Sequence, residues 1–426
     1  MCALTEKLES IGVKLVETGV VDLDGKLLIR THPVKRFKKL LENGFNLDGY
    51  SIGYSPIYES DLLAKPDPST LKIYEADGVK IAFMICDLYR DDSPLEYYPR
   101  VILRKIMNEI GYDAVIGPEL EFYVLDLSGN PIDQGTYMSP RPLDKAEPIK
   151  KMLILKALEA GYEVENTHHE VGPSQHEITA KGRTPIEAAD DLIFIKYYIR
   201  QLLNSHGLDA TYMPKPFTGR PGNGLHIHVD LRKNHKRVFG STNNPTSEAL
   251  SFIAGLLKYA VDISVVTNST VNSYKRLVKG FEAPVYICWG YGNRSTLIRV
   301  PNGRRKAPLR IEYRAPDPLA NPYLLFATIL LAGVKGIRES LEPPAPIQEN
   351  VYEKEYNDIE TLPGNLKEAI NKSGEIVRDV LGKGYTLYIN RKEKEWKDYL
   401  AYLEKEGLSS TTIDVTSWEK ERYLLF

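Results

Sequence analysis

Three separate stretches of the chain alternate charged and apolar residues with a period of two. Gly117-Pro-Glu-Leu-Glu-Phe-Tyr-Val-Leu125 places Glu119 and Glu121 two apart. Leu225-His-Ile-His-Val229 does the same with His226 and His228, and Leu309-Arg-Ile-Glu-Tyr-Arg314 with Arg310, Glu312 and Arg314. Residues two apart share one face of a β-strand, so each stretch predicts a strand with a polar face and an apolar face. One such strand is an ordinary half-solvated sheet laced with ion pairs. Three of them, together with His168-His-Glu-Val-Gly-Pro-Ser-Gln-His-Glu177, gather more negative charge than a sheet face holds without cations. Five glutamates and one histidine form an oxygen-rich, thiolate-free donor set that suits Mg²⁺ or Mn²⁺ better than structural zinc. The nearby arginines suggest that such metals share the site with phosphates. Spacing does not select the ligand histidine, and His168 and His169 read equally well as core or supporting residues.

The rest of the chain narrows the class. Among 426 residues, 55 Lys and Arg nearly balance 57 Asp and Glu, which argues against nucleic acid or an anionic membrane as the main partner. With 42% hydrophobic and 26% charged residues a substantial core is expected. The longest apolar run, Leu324 to Val334, is about half of what a bilayer span needs. The N-terminal segment lacks the basic-then-apolar order of a signal peptide. Three cysteines (Cys2, Cys86, Cys288) lie far apart, as in a reduced cytoplasmic protein. No G-x-x-x-x-G-K-[ST], no G-x-G-x-x-G after a strand and no G-x-S-x-G occurs, so P-loop, Rossmann and serine-hydrolase readings are excluded at motif level.

Residues 13–100 read as short strands and turns. They comprise a hairpin around Asp24-Gly25, a helix from Val34 stopped by Gly44, a Gly/Ser/Tyr/Pro loop over Asp48–Asp61, strands near Leu71–Tyr74 and Ile81–Asp87, and a linker over Pro94–Pro99. Longer helices are expected only later, over Pro148–Ala160, Thr184–Gly207, Ser247–Val261 and Ala320–Glu339. Strands are expected between them at Ala114–Leu127, Glu170–Thr179, Leu225–Leu231, Val285–Tyr291 and Leu309–Arg314. The picture is α+β: a small β-rich domain over residues 1–100 and a large α/β domain over residues 101–426.

Several motifs, in order, resemble those of type I glutamine synthetase, from about residue 14 to the C-terminus. They are Asp48-Gly-Tyr-Ser51 with Glu59-Ser-Asp61, Gly117-Pro-Glu-Leu-Glu-Phe122, the His168–Glu177 segment, Gly222-Asn-Gly-Leu-His-Ile-His228, Asn272-Ser-Tyr-Lys-Arg-Leu-Val278, Gly280-Phe-Glu-Ala-Pro284, Asn293-Arg-Ser-Thr-Leu-Ile-Arg-Val-Pro301 and Arg310-Ile-Glu-Tyr-Arg-Ala-Pro-Asp317. The resemblance implies a β-grasp-like N-terminal domain and a catalytic domain whose antiparallel sheet forms a metal-lined funnel. It implies ATP-dependent ligation of ammonia to the γ-carboxylate of glutamate through γ-glutamyl phosphate, with two or more Mg²⁺ (or Mn²⁺) per subunit. Glu121, Glu170 and Glu177 would hold one metal, and Glu119, His226 and Glu312 the other. Glu165, His228, Arg299 and Arg310 would lie on the nucleotide side. Gly222, Arg276 and Arg314 would bind glutamate, and Arg294 would stabilise charge on the transferring phosphoryl group. Glu282 would close the mouth, and Asp48 of a neighbouring subunit would receive ammonium. A cytoplasmic homododecamer of two stacked hexamers is implied, and the apolar C-terminal end, Trp418 to Phe426, is a candidate for docking at such an interface.

Four residues depart from the family's pattern: Tyr50 in the Asp48 loop, which is also about one residue short, Pro221 where asparagine is common, Lys279 before Gly280, and Asp230 near the nucleotide. They motivate two alternatives, a γ-glutamyl ligase for a larger amine and a catalytically weak, nitrogen-sensing paralogue. Arg304-Arg-Lys306 reads as a solvated loop. Tyr352 stands where some relatives are adenylylated and reads here as an ordinary tyrosine.

Overall fold

The computed structural model describes residues 2–301 and 308–425. Arg304, Arg305 and Lys306 therefore lie outside the described residues. The N-terminal hairpin forms as expected: Val13–Val21 pairs antiparallel with Leu27–Pro33, and Val13–Val21 also runs parallel to the long strand Val79–Arg90. With Asp61–Pro66, Phe45–Asp48, Lys72–Ala76 and the two-residue Ser93–Pro94 they make a seven-stranded sheet. The Phe37–Asn43 helix stops at Gly44, whose φ of 65° few side-chain-bearing residues adopt.

The expected linker is instead a packed joint. Leu95 and Tyr98 are buried, and the Tyr98 hydroxyl donates to Cys86 O (3.1 Å) while accepting from Val21 N (3.0 Å). A helix over Pro99–Ile110, absent from the sequence reading, starts there with proline in its first turn. Its Arg100 is 1% exposed and donates to Asp67, Asp87 and Asp190. One guanidinium thus ties the small domain to the Pro185–Asn204 helix of the large one.

The large domain is built on a nine-stranded sheet ordered Trp289–Tyr291, Ile298–Val300, Ile311–Tyr313, Leu225–Lys233, Asp113–Asp126, Gln175–Ala180 and Val164–His169, with Leu208–Thr211 and Lys236–Arg237 pairing at its sides. All pairs are antiparallel except the first two strands, which run parallel. The predicted single strand Glu170–Thr179 is incorrect. Gly172-Pro173 and Ser174, with a φ of 62°, turn the chain, so Val164–His169 and Gln175–Ala180 form a hairpin. The expected Val285–Tyr291 strand shortens to Trp289–Tyr291.

Helices Pro185–Asn204, Ser247–Lys258 and Pro322–Arg338 contribute to one continuous core with the sheet. Helices Leu366–Lys372, Glu375–Leu381 and Tyr385–Glu406 were also missed in the sequence. The C-terminal helix Ser417–Tyr423 docks on its own chain: Trp418 lies against Tyr399, and the buried Tyr423 donates to Glu395 (2.6 Å). It therefore lends no support to an intersubunit role; Phe426 lies outside the described residues. Among the described residues, no single helix is long and apolar enough to cross a membrane.

Candidate active site

Strand register assembles the site. Residues directly opposite on neighbouring strands share a face, and six strands bring their polar rows together. Arg299 faces Glu312, and Glu312 faces His228. His226 faces Glu119. Glu121 faces Glu177, which faces His168. Residues separated by up to about 190 positions therefore form one surface.

A cavity of about 950 Å³ opens on that surface. Glu121, Glu170, Glu177, Gly222, His226, Arg276, Glu282, Arg294 and Arg314 all line it. Glu119, His228, Arg299, Arg310 and Glu312 adjoin it through a chain of contacts. Arg310 Nε donates to His228 Nδ1 (3.2 Å), which leaves His228 Nε2 to donate to Glu119 Oε1 (2.7 Å). His226 Nδ1 is 3.3 Å from the other Glu119 oxygen, and its Nε2 is 3.8 Å from Glu121. Glu312, fully buried, accepts from Arg299 (2.5 Å) and Arg314 (2.6 Å).

Two predicted residues stand apart from the cavity. Glu165 is exposed on the edge strand, at the point where its pairing register slips. Asp48 is exposed at the end of a strand in the N-terminal sheet, where it accepts hydrogen bonds from Tyr50 N (2.9 Å) and the Ser51 hydroxyl. Those bonds are an Asx turn, and with the Ser51 contact foremost they hold the carboxyl below its usual range.

The electrostatics are those of a cation site. Burial, and then the charges of Glu119, Glu121 and Glu170, push Glu177 up to about 9. Burial raises Glu121 as well. Burial opposes ionisation of Glu119, but hydrogen bonds from His226 and His228 hold it well below the usual carboxylate range. Glu312 is likewise held at about 2 by Arg314 against its burial. A cluster in which one carboxyl must keep a proton to relieve its neighbours fits a divalent cation. Ligand atoms lie within 4.8 Å of one another in the sets Glu119–Glu177–His226, Glu119–His228–Glu312 and His168–Glu170–Glu177.

Arg276 is 2% exposed and donates to Ala315 O (2.6 Å) and Arg314 O (3.2 Å). Its seat needs glycines. A Cβ on Gly222 would meet Pro214 O at 2.4 Å and Arg276 Cγ at 2.8 Å, and one on Gly224 would meet Arg276 Nη2 at 2.7 Å and His226 Nε2 at 2.8 Å. Glu282 sits at the cavity wall with φ 58°, an uncommon conformation for a side-chain-bearing residue.

Gln175 and Asp133 escaped the sequence reading, whereas His169 is one of the supporting residues it allowed. Gln175 donates to Gly222 O (2.9 Å) and to Glu121 (3.4 Å). Buried His169 bridges Asp133 (3.1 Å) and Glu170 O (2.6 Å), bracing the turn that carries Glu170. Asp133, His169 and His176 also have ligand-type atoms within 4.8 Å. However, the Asp133 oxygens already accept from Ser174, Gly135 and Lys145, so this group reads as support. The adjacency of two histidines to Glu170 was the available signal. Tyr352 lines the cavity, its hydroxyl buried without a partner among the described residues, and burial pushes it up to about 12.

Of the four departures, Pro221 lines the cavity and offers its carbonyl to Tyr123 (2.8 Å). Lys279 lies over Tyr286 (4.9 Å), and Asp230 pairs with Arg237 (3.2 Å). Tyr50 is exposed.

Comparison with known proteins agrees with this geometry. Residues 12–91 match the glutamine synthetase beta-Grasp domain, and residues 96–412 its catalytic domain. Glutamine synthetase of Pyrococcus abyssi is 43% identical over 430 residues, covering 96% of each chain. Among solved structures, a GmaS/ADP complex superposes with a TM-score of 0.87 at 26% identity over 100% of both chains. Plasmodium falciparum glutamine synthetase does so with a TM-score of 0.84 at 26% identity, covering 99% of this chain and 98% of that one. The chain belongs to the glutamine synthetase family.

Proposed function

We infer that the protein is an ATP-dependent glutamate–ammonia ligase that forms glutamine, and that it does so through γ-glutamyl phosphate. The observation that carries the reading is a single cavity presenting a carboxylate–histidine cluster beside Arg276, Arg294 and Arg314. Full-length similarity to curated glutamine synthetases favours ammonia over a larger amine, and an enzyme over a weak paralogue.

In this reading Arg276, pinned by two backbone carbonyls, holds the α-carboxylate of glutamate, and Gly222 leaves room for it. Arg314 reaches the γ-carboxylate. Arg294, Arg299 and Arg310 face phosphate oxygens, with Glu165 and His228 on the nucleotide side. Glu121, Glu170 and Glu177 would hold one divalent cation, and Glu119, His226 and Glu312 a second, of Mg²⁺ or Mn²⁺. When bound, such cations neutralise the carboxylate and phosphate oxygens that otherwise repel each other. Glu282 closes the mouth and keeps water from the acyl phosphate.

Asp48 is the exception that argues for assembly. It lies outside its own chain's cavity, at the start of a loop that also exposes Tyr50, Ile57 and Tyr58. A carboxylate that attracts ammonium and assists its deprotonation must then come from a neighbour, as in a closed ring. We read the assembly as two stacked hexamers, the domain division as 1–100 and 101–426, and the location as cytoplasmic.

The deciding experiment measures phosphate release with glutamate, ATP, Mg²⁺ and a panel of amines. Ammonia should give the highest kcat/KM. Asp48→Ala should slow the ammonia reaction sharply while sparing acyl phosphate trapped by hydroxylamine. Equal slowing of both, or of neither, would leave Asp48 with its turn role alone.

A further inference from the structure

Lys215 is a buried ammonium beside the active-site cavity. It is 3% exposed, and among the described residues no carboxylate forms an ion pair with it. Its Nζ donates to Arg220 O (2.5 Å) and sits 3.6 Å from the centre of the Phe281 ring. Its main chain is fixed independently, because Asn272 accepts from Lys215 N (2.7 Å) and donates to Lys215 O (3.0 Å). Burial, and then the charge of Arg276, pull the ammonium down to about 8. An unpaired cation held in such a place needs a function to offset its desolvation.

What it touches is the mouth of the cavity. Phe281 and Glu282 line one part of the wall, and Pro221 and Gly222 another. Gly280 and Glu282, on either side of Phe281, both have positive φ, 89° and 58°. Glycine takes such a φ freely, but Glu282 does not, and it keeps its conformation through contacts made elsewhere. On the outer side of the segment Lys279 packs over Tyr286 (4.9 Å) and pairs with Glu355 (3.5 Å). On its inner side Phe281 rests on the Lys215 ammonium, which also grips the Arg220 carbonyl of the neighbouring wall.

We propose that Lys215 is a positioning residue that clamps the Gly280–Glu282 segment to the Arg220–Gly222 wall through the Phe281 ring, and so sets how well Glu282 seals the cavity. It acts through Phe281 and does not touch the reacting atoms. A desolvated cation on an aromatic face is among the stronger contacts of its kind. Its loss should show as leakage: water reaches γ-glutamyl phosphate and returns glutamate and phosphate, so ATP is consumed without glutamine. The inference rests on the reading of Glu282 as the seal.

The test counts phosphate released per glutamine formed, at saturating substrates, on the assembled enzyme. Lys215→Met keeps an unbranched chain one atom shorter and removes the charge. It should raise the phosphate released in excess of glutamine about tenfold, with kcat for phosphate release changed far less. Lys215→Arg should restore most of the coupling. Phe281→Leu should leak by itself, and adding it to Lys215→Met should add little, since both remove one contact. If Lys215→Met does not fold, Phe281→Leu against Phe281→Tyr carries the test, with Tyr coupled and Leu leaking. Glu282→Ala separates the two ideas. If it leaks while Lys215→Met and Phe281→Leu stay coupled, the clamp is refuted and the seal stands. If Glu282→Ala stays coupled, the seal itself is wrong and the clamp falls with it.

Discussion

Glu312→Ala should remove activity and stability together. As a metal ligand, the role the family resemblance implies, Glu312 would be expected to matter for turnover and little for the fold. The structure changes that expectation, because the carboxylate is fully buried and shared by Arg299 at 2.5 Å and Arg314 at 2.6 Å. Alanine would strand both guanidiniums, and their Nε atoms already lack partners among the described residues. Removing one member of a buried ion pair costs about 3–5 kcal/mol, a large part of a typical stability of about 5–15 kcal/mol. Loss of one group that stabilises charge in the transition state lowers kcat about 10²–10³-fold. Glu312→Gln keeps the volume and one acceptor oxygen, so it should recover part of the stability and little of the turnover. Urea unfolding at fixed protein concentration in EDTA reads the first quantity, and steady-state turnover at saturating Mg²⁺ reads the second. An alanine variant with an unchanged midpoint would refute the ion-pair argument. A near-normal kcat would remove Glu312 from the site.

Two further outcomes follow from the electrostatics. With Glu177 raised to about 9 by burial and neighbouring carboxylates, the metal-free folded chain keeps a proton that the unfolded chain releases, so metal-free stability should fall as pH rises from the ordinary carboxyl range to about 9. Mg²⁺ must displace that proton, so its affinity should rise by up to about tenfold per pH unit below 9. Calorimetry in buffers of different ionisation enthalpy should detect proton release on binding, and none would contradict the cluster. At the domain joint, Arg100→Met would leave Asp190 without its cation, while Asp67 and Asp87 would keep only Arg104. It should cost about 3–5 kcal/mol in urea unfolding with little change in KM, and a wild-type midpoint would refute the joint.

Much of the site was legible because it is written in local periodicity. Glu119 and Glu121, His226 and His228, and Arg310, Glu312 and Arg314 each share a face by the two-residue repeat of a strand, whatever the rest of the chain does. The first hairpin was legible for the same reason, through Asp24-Gly25. The Pro99–Ile110 and Tyr385–Glu406 helices were passed over. The first follows prolines read as a linker, and the second is rich in charge with a weak start at Gly384, so neither shows a boundary from its own residues. The ordered motifs fixed the family, and with it the roles to expect, before any strand was paired.

Only the tertiary structure decided the pairings. Register set Glu121 opposite Glu177 and Glu312 opposite His228, because hydrogen bonding between strands joins residues that no spacing rule relates. It turned Glu170 onto a hairpin braced by His169 and left Asp48 outside its own chain's cavity. It also gave Arg100, Lys215 and Gln175 their places, since a buried charge or amide takes its role from the partners that burial supplies. In the sequence these three are an arginine after a proline, a lysine between prolines and a glutamine beside a histidine.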